Sequence, residues 1–163
     1  MPMDADSAVD AHEAHDTPKA NKYPDMECVG IIYGNVGTTT FNFRVSGAIE
    51  KMEYVQVEHD TDGWVLGLVS EMERRTDLSI EKAKMVSDGE EIPIEEKVSA
   101  RVDVVGYRDD RNLLQVPRSP FKAGDLVFKA SDTLIKNVIG LKENTDTGAY
   151  LGLLLGHNIR VEV

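Results

Sequence analysis

From residue 29 onward, apolar and polar positions alternate with a period of two. Residues 38–45 read TTTFNFRV, with Phe41, Phe43 and Val45 on one face and Thr40, Asn42 and Arg44 on the other. β-Branched and aromatic residues in that alternation predict a half-buried strand. Residues 29–34, VGIIYG, form a short apolar run, and Gly34-Asn35-Val36-Gly37 is a turn that joins the two as an antiparallel pair. Residues 53–58 (EYVQVE) and 64–69 (WVLGLV) predict a second pair across the polar segment His59-Asp60-Thr61-Asp62-Gly63. Asp62-Gly63 is a hairpin signal. Gly67, inside its strand, marks a bulge, a barrel corner or a close backbone approach.

Residues 97–107 (KVSARVDVVGY) give the clearest strand, with Val98, Ala100, Val102 and Val104 on one face. A turn at residues 109–112 lets 113–116 pair back. Pro117-Arg118-Ser119-Pro120 then fixes an extended crossing, since neither proline has a backbone donor. Residues 125–130 are a short strand, and 150–155 and 158–163 a last strand pair. Two short helices are expected. A weak one at 78–88 is an insertion between strands. A second at 132–139 has Ser131 as its N-cap and Gly140 as its end. This order of short strands and turns predicts an all-β fold, a small closed antiparallel β-barrel with one or two short helices. Closure also removes the exposed edges that so many apolar strands would otherwise present.

Residues 1–27 break the pattern. They hold seven acidic side chains against two lysines, with no apolar period. They read as an acidic disordered leader, followed by one barrel domain over 28–163. His12 and His15 stand three apart beside Glu13 and Asp16, a spacing that could hold a metal ion on a helix. With no third ligand on a rigid element, they read as solvated tail histidines.

The leader bears on the charge. The whole chain of 163 residues has a formal net charge of −11. That balance argues against a module that grips nucleic acid, and against an anionic membrane surface as partner. The single cysteine, Cys28, excludes an intrachain disulfide framework. No apolar run is long enough to span a bilayer, and the acidic start is the opposite of a secretory signal, so a cytoplasmic protein is expected.

Catalytic patterns are missing. The stretch from Gly34 to Thr40 has the wrong spacing for a phosphate loop and no lysine. Cys28 has no neighbour in sequence that would activate it. His59 and His157 are isolated in sequence, and His59, between Glu58 and Asp60, reads as an ordinary turn histidine rather than a pH-sensitive surface group. Asp60 with Asp62, and Asp109 with Asp110, lack the rest of a calcium loop. No active site, cofactor site or metal site is expected in this chain.

From residue 29 the motif order resembles one family, the N-terminal barrel of HerA-type archaeal DNA-translocating ATPases. VGIIYGNVGTTTFNF at 29–43 resembles its opening hairpin, and YVQVE with VLGLV its next strand pair. ARVDVVG at 100–106 is similar to the strand before its proline crossing. Pro117-Arg118-Ser119-Pro120, Ala123-Gly124 and Val127-Phe128-Lys129-Ala130 resemble that crossing and the strand after it. Residues 134–141 resemble its short helix and 150–163 its closing segment.

The resemblance implies a HAS-barrel, the domain shared with the N-terminal part of rotary ATP synthase catalytic subunits. It implies a role by assembly, as a non-catalytic collar on a homo-hexameric DNA translocase. There the barrel would contact its neighbouring barrels and the ATPase core, and dock the NurA nuclease for end resection and recombinational repair. ATP and Mg²⁺ would belong to the ATPase core of a longer parent, a DNA helicase. Duplex DNA would meet the barrel only through the assembled ring. The residues expected to dock a partner are the hairpin tip His59, Asp60, Thr61 and Asp62, held rigid by two strands, and Arg118 on the proline crossing. A solvated turn and a local surface ion pair are the plainer readings of these residues. Trp64, the one tryptophan, is expected in the core or at the barrel closure. The alternative function is a stand-alone β-barrel adaptor or an oligonucleotide-binding module, though few aromatic residues and the acidic charge speak against a base-stacking groove.

Overall fold

The computed structural model describes residues 22–141 and 148–162. The alternation in the first apolar segments produces β1 (Cys28–Tyr33) and β2 (Thr40–Val45), an antiparallel pair with Ile32 opposite Phe43. Val29, Ile32, Phe41 and Phe43 are buried. Gly30 is the one residue that fits beneath the Phe43 ring. A Cβ there would lie 2.2 Å from the Arg44 carbonyl oxygen and 2.4 Å from Phe43 Cδ2.

The second hairpin joins β3 (Tyr54–His59) to β4 (Gly63–Thr76). Gly63 turns the chain at φ +71°, in the left-handed region that glycine enters without steric cost. β5 (Glu96–Arg108) pairs with β4 on one side and β2 on the other. β7 (Leu126–Lys129) lies between β1 and β3. The order β1-β7-β3-β4-β5-β2 therefore returns to β1, and six antiparallel strands close a barrel. β6 (Leu114–Gln115) extends the sheet beyond β5, outside this ring. Inward residues from every stave, among them Val55, Val57, Val65, Val69, Val102 and Val127, make one core. Gly67 sits where the β4–β5 register shifts, and a Cβ there would meet Val102 Cγ1 at 2.4 Å, so it serves both a bulge and a close approach.

Two features lie beyond the expected pattern. β4 continues past Val69 to Thr76, and β5 begins at Glu96, so the two leave the barrel as a ribbon. At its far end stands α1 (Ile80–Ser87), capped by the Ser79 side chain, which accepts from the Lys82 amide. This helix is the expected insertion, and it buries no residue. The second feature is a smaller core on the outside of the barrel. α2 (Asp132–Ile139) is capped by Ser131 and ended by Gly140 at φ +78°, as the sequence implies. It packs Ile135 and Val138 against Leu66, Ala130 and Ile159.

The last strand pair, β8 (Tyr150–Leu153) and β9 (Arg160–Glu162), forms a separate two-stranded sheet rather than joining the barrel. Its turn is seated on the barrel wall. His157 Nε2 accepts from the Tyr54 amide at 3.3 Å, and Ile159 is buried.

Residues 1–21 of the expected leader, with His12 and His15, lie outside the described residues. Residues 22–27 are described, and they lie on the barrel. Tyr23 meets Trp64 and Phe128 edge to face at 5.0 and 5.5 Å, and the Glu27 carbonyl accepts from the Lys129 amide. Packing against the barrel therefore reaches back to Tyr23. No helix among the described residues is long and apolar enough to cross a membrane.

Candidate functional site

The polar end of the β3–β4 hairpin is Asp60-Thr61-Asp62, with His59 closing β3 before it. Strand alternation decides what His59 does. It follows Val55 and Val57 on the inward face of β3 and is 3% exposed. Its Nε2 donates to the Ser119 carbonyl at 3.0 Å. Its Nδ1 stands 3.2 Å from Thr61 Oγ1 and 3.1 Å from an Asp62 carboxylate oxygen, and the ring edge rests on Phe121. His59 is thus a clamp between the hairpin end and the proline crossing, not an exposed tip residue.

Asp62 is half-buried beside it and accepts from the Tyr107 hydroxyl at 3.1 Å. Loss of solvent, and next the hydrogen bond to Asp62, hold the Tyr107 phenol above its ordinary range, while the Arg118 charge pulls it the other way. Asp60 and Thr61 are exposed, and Asp60 pairs with Lys122. That hydrogen bond holds the Lys122 amine above its ordinary range. Arg118 is exposed on the crossing beside the buried Pro117. The structure therefore brings all five expected residues to one rim. Asp60, Thr61 and Arg118 are presented, whereas His59 and Asp62 hold the frame.

The same rim contains a groove of about 360 Å³ whose lining includes Lys22, Tyr23, Glu58 and Asp60. The Tyr23 hydroxyl donates to Glu58, and Lys22 Nζ lies 3.0 Å from the same carboxylate and 5.1 Å above the Tyr23 ring centroid. The Tyr23 hydrogen bond, and next that from Lys22, hold the Glu58 carboxyl below its ordinary value. Sequence reasoning missed this triad because a lone tyrosine in a polar stretch carries no period.

Elsewhere the other candidates have structural tasks. Cys28 is half-buried, its Sγ 3.6 Å from the Gly30 carbonyl oxygen. The Asp109 carboxylate accepts from the Arg111 and Leu113 amides at 2.9 Å, which shapes its turn and keeps its carboxyl below the ordinary range. Trp64 joins the Tyr23–Phe128 aromatic cluster on the barrel wall. Among the described residues no group of three or more His, Cys, Asp and Glu side chains stands where it could hold a metal ion. The chemistry offered by the rim is a rigid array of hydrogen-bonding groups whose charges are largely paired.

A closed six-strand barrel built from this strand order is one side of the identification, and the sequence match is the other. Residues 29–110 match the HAS barrel domain. The chain belongs to the HAS-barrel family. The match opens at β1 and ends in the turn after β5, so it holds five of the six staves, and β7 completes the HAS barrel from outside the matched stretch. The DNA double-strand break repair helicase HerA of Pyrococcus furiosus is 27% identical over 148 residues, which cover 84% of this chain and 26% of that protein. The chain spans about a quarter of the length of that relative.

Proposed function

We propose that this HAS barrel is a non-catalytic docking collar. It would work in a hexameric HerA-type DNA translocase that acts with a NurA nuclease in end resection and recombinational repair. The alignment with a double-strand break repair helicase, running through 84% of this chain, is the observation that carries the reading. Two features of the rim support it. The hairpin end is braced by His59 and Asp62 from within, which leaves Asp60 and Thr61 held in place and accessible. Arg118 stands on the same rim, without an ion pair among the described residues. Such a surface recognises a protein partner by hydrogen bonds set in advance, at little entropic cost on binding.

In this reading ATP and Mg²⁺ chemistry belongs to the further length of a HerA-type parent, and the barrel itself catalyses nothing. Duplex DNA passes through the ring of barrels in the cytoplasm without being gripped, which suits an acidic chain. The test is capture of a purified NurA nuclease by this chain. Capture that is lost in the Asp60→Ala, Thr61→Ala, Arg118→Ala triple variant supports the reading. Capture unchanged by the triple variant removes the rim from it, and no capture by the folded chain sinks the docking role.

A further inference from the structure

The ribbon that leaves the barrel ends in a helix with nothing to pack on. α1 has eight residues and none is buried; Ile80 is 87% exposed, and Met85 and Val86 face solvent as well. A helix this short is marginal in water unless its apolar side chains are covered. The segment around it is acidic, with seven carboxylates against two lysines between residues 77 and 96. Glu81, Asp88, Glu90 and Glu91 make no ion pair among the described residues.

A surface of opposite character stands at the other end of the same strand. β6 is the last strand of its sheet, paired with β5 on one side and open on the other. β6 and the residues on either side of it expose Leu113, Leu114 and Val116, with Leu113 at 51%. Arg111 and Arg118 flank that stretch, and neither makes an ion pair among the described residues. An open apolar edge of this kind is normally covered or guarded.

The two surfaces cannot meet within one copy. β5 carries α1 at its Glu96 end and β6 at its Arg108 end. Its 13 residues, at about 3.3 Å each, place those ends roughly 40 Å apart. We infer that the α1 arm of one copy seats on the β6 edge of a second copy, apolar patch against apolar patch and carboxylates against Arg111. Because arm and edge are different patches, the contact is head-to-tail. It leaves a free arm at one end and a free edge at the other, and it propagates until the rotation closes a ring. The inference rests on the ring of barrels proposed above and specifies how its members touch.

The experiment measures the mass of the 163-residue chain in solution by sedimentation across a concentration series. Ile80→Glu and Leu114→Glu, each on an exposed residue, are made separately, and Trp64 emission checks that both fold. Each is expected to weaken association by at least about tenfold. Mixed together, they are expected to form a one-to-one pair that grows no further, since the mixture holds one intact arm and one intact edge. Raised salt is expected to weaken the wild-type contact. Association that survives both substitutions overturns the arm contact and leaves the ring reading standing. Variants that stay monomeric when mixed also overturn it. A wild-type chain that is monomeric at every concentration overturns both the arm contact and a ring held by barrels.

Discussion

Tyr23 tests whether the segment before β1 belongs to the folded unit. In Tyr23→Ala the ring loses edge-to-face contacts with Trp64 at 5.0 Å and Phe128 at 5.5 Å, and the hydroxyl no longer reaches Glu58. Each aromatic pair contributes about 0.5–1.5 kcal/mol beyond its area, and a hydrogen bond to a carboxylate about 1.5 kcal/mol or more. The expected loss is about 2.5–4.5 kcal/mol, a shift of roughly 1–2 M in the urea midpoint for a chain of this size. Trp64 is the only tryptophan and lies against the mutated ring, so its emission follows unfolding directly.

Tyr23→Phe separates the two contributions, because it keeps the rings and removes only the hydrogen bond. Glu58 is held below its ordinary 4.5 in the folded chain, first by Tyr23 and then by Lys22. Its stabilising effect is therefore complete above about pH 4.5 and lost as pH falls through the depressed folded value. In Tyr23→Phe the carboxyl moves back toward its ordinary value, so the acid-side loss of stability becomes shallower. A Tyr23→Ala chain with an unchanged midpoint, or a Tyr23→Phe chain with an unchanged acid slope, would refute the packing described for this segment.

Gly30→Ala places a methyl 2.2 Å from the Arg44 carbonyl oxygen, backbone that cannot yield, and is expected to cost more than about 3 kcal/mol in a thermal melt. Arg108 donates to the Val138 carbonyl at 2.8 Å and to the carbonyls of Asn137 and Asn112, tying α2 to the β5–β6 turn. Arg108→Ala is expected to lose about 2–3 kcal/mol, with Arg108→Lys recovering little because a point charge cannot span three acceptors. Asp60 and Asp62 should behave oppositely despite being two residues apart. Asp60→Ala breaks only an exposed pair and should change stability by less than about 0.5 kcal/mol, whereas Asp62→Ala takes one partner from the buried His59 and the acceptor from the Tyr107 hydroxyl and should cost about 1–3 kcal/mol by denaturant titration.

Legibility in the sequence followed burial on one face. β2 and β5 were plain because Phe41, Phe43, Ala100 and Val102 alternate with polar residues and all point into the barrel. The distal part of β4, Ser70 to Thr76, does not show in the sequence because only Met72 still packs on the core there; from Glu73 to Thr76 both faces meet solvent, and pairing with β5 carries the strand. The last strand pair was read correctly as strands. Its apolar residues Leu151, Leu153 and Leu155 alternate as in a barrel stave, yet they are exposed, and position in a sheet is a tertiary fact. His59 was legible and misassigned. Its residue type and polar neighbours pointed outward, while the phase set by Val55 and Val57 already pointed inward. Tyr23 offered no local pattern, and only the Trp64–Phe128 cluster explains its place.

The position of β7 has a consequence for how the protein is made. β1 ends at Tyr33 and needs Leu126–Lys129 on its open side, as does β3. On the ribosome, every other stave emerges before the one that completes the circle. Until then two unsatisfied edges wait side by side, and the nascent chain is a curled sheet open to pairing with its neighbours on the same message. A fragment ending at residue 110, where the family match ends, would keep that gap for good and should aggregate. Closure is thus a late, long-range step, and the short strand that performs it sets the time for which the molecule is vulnerable.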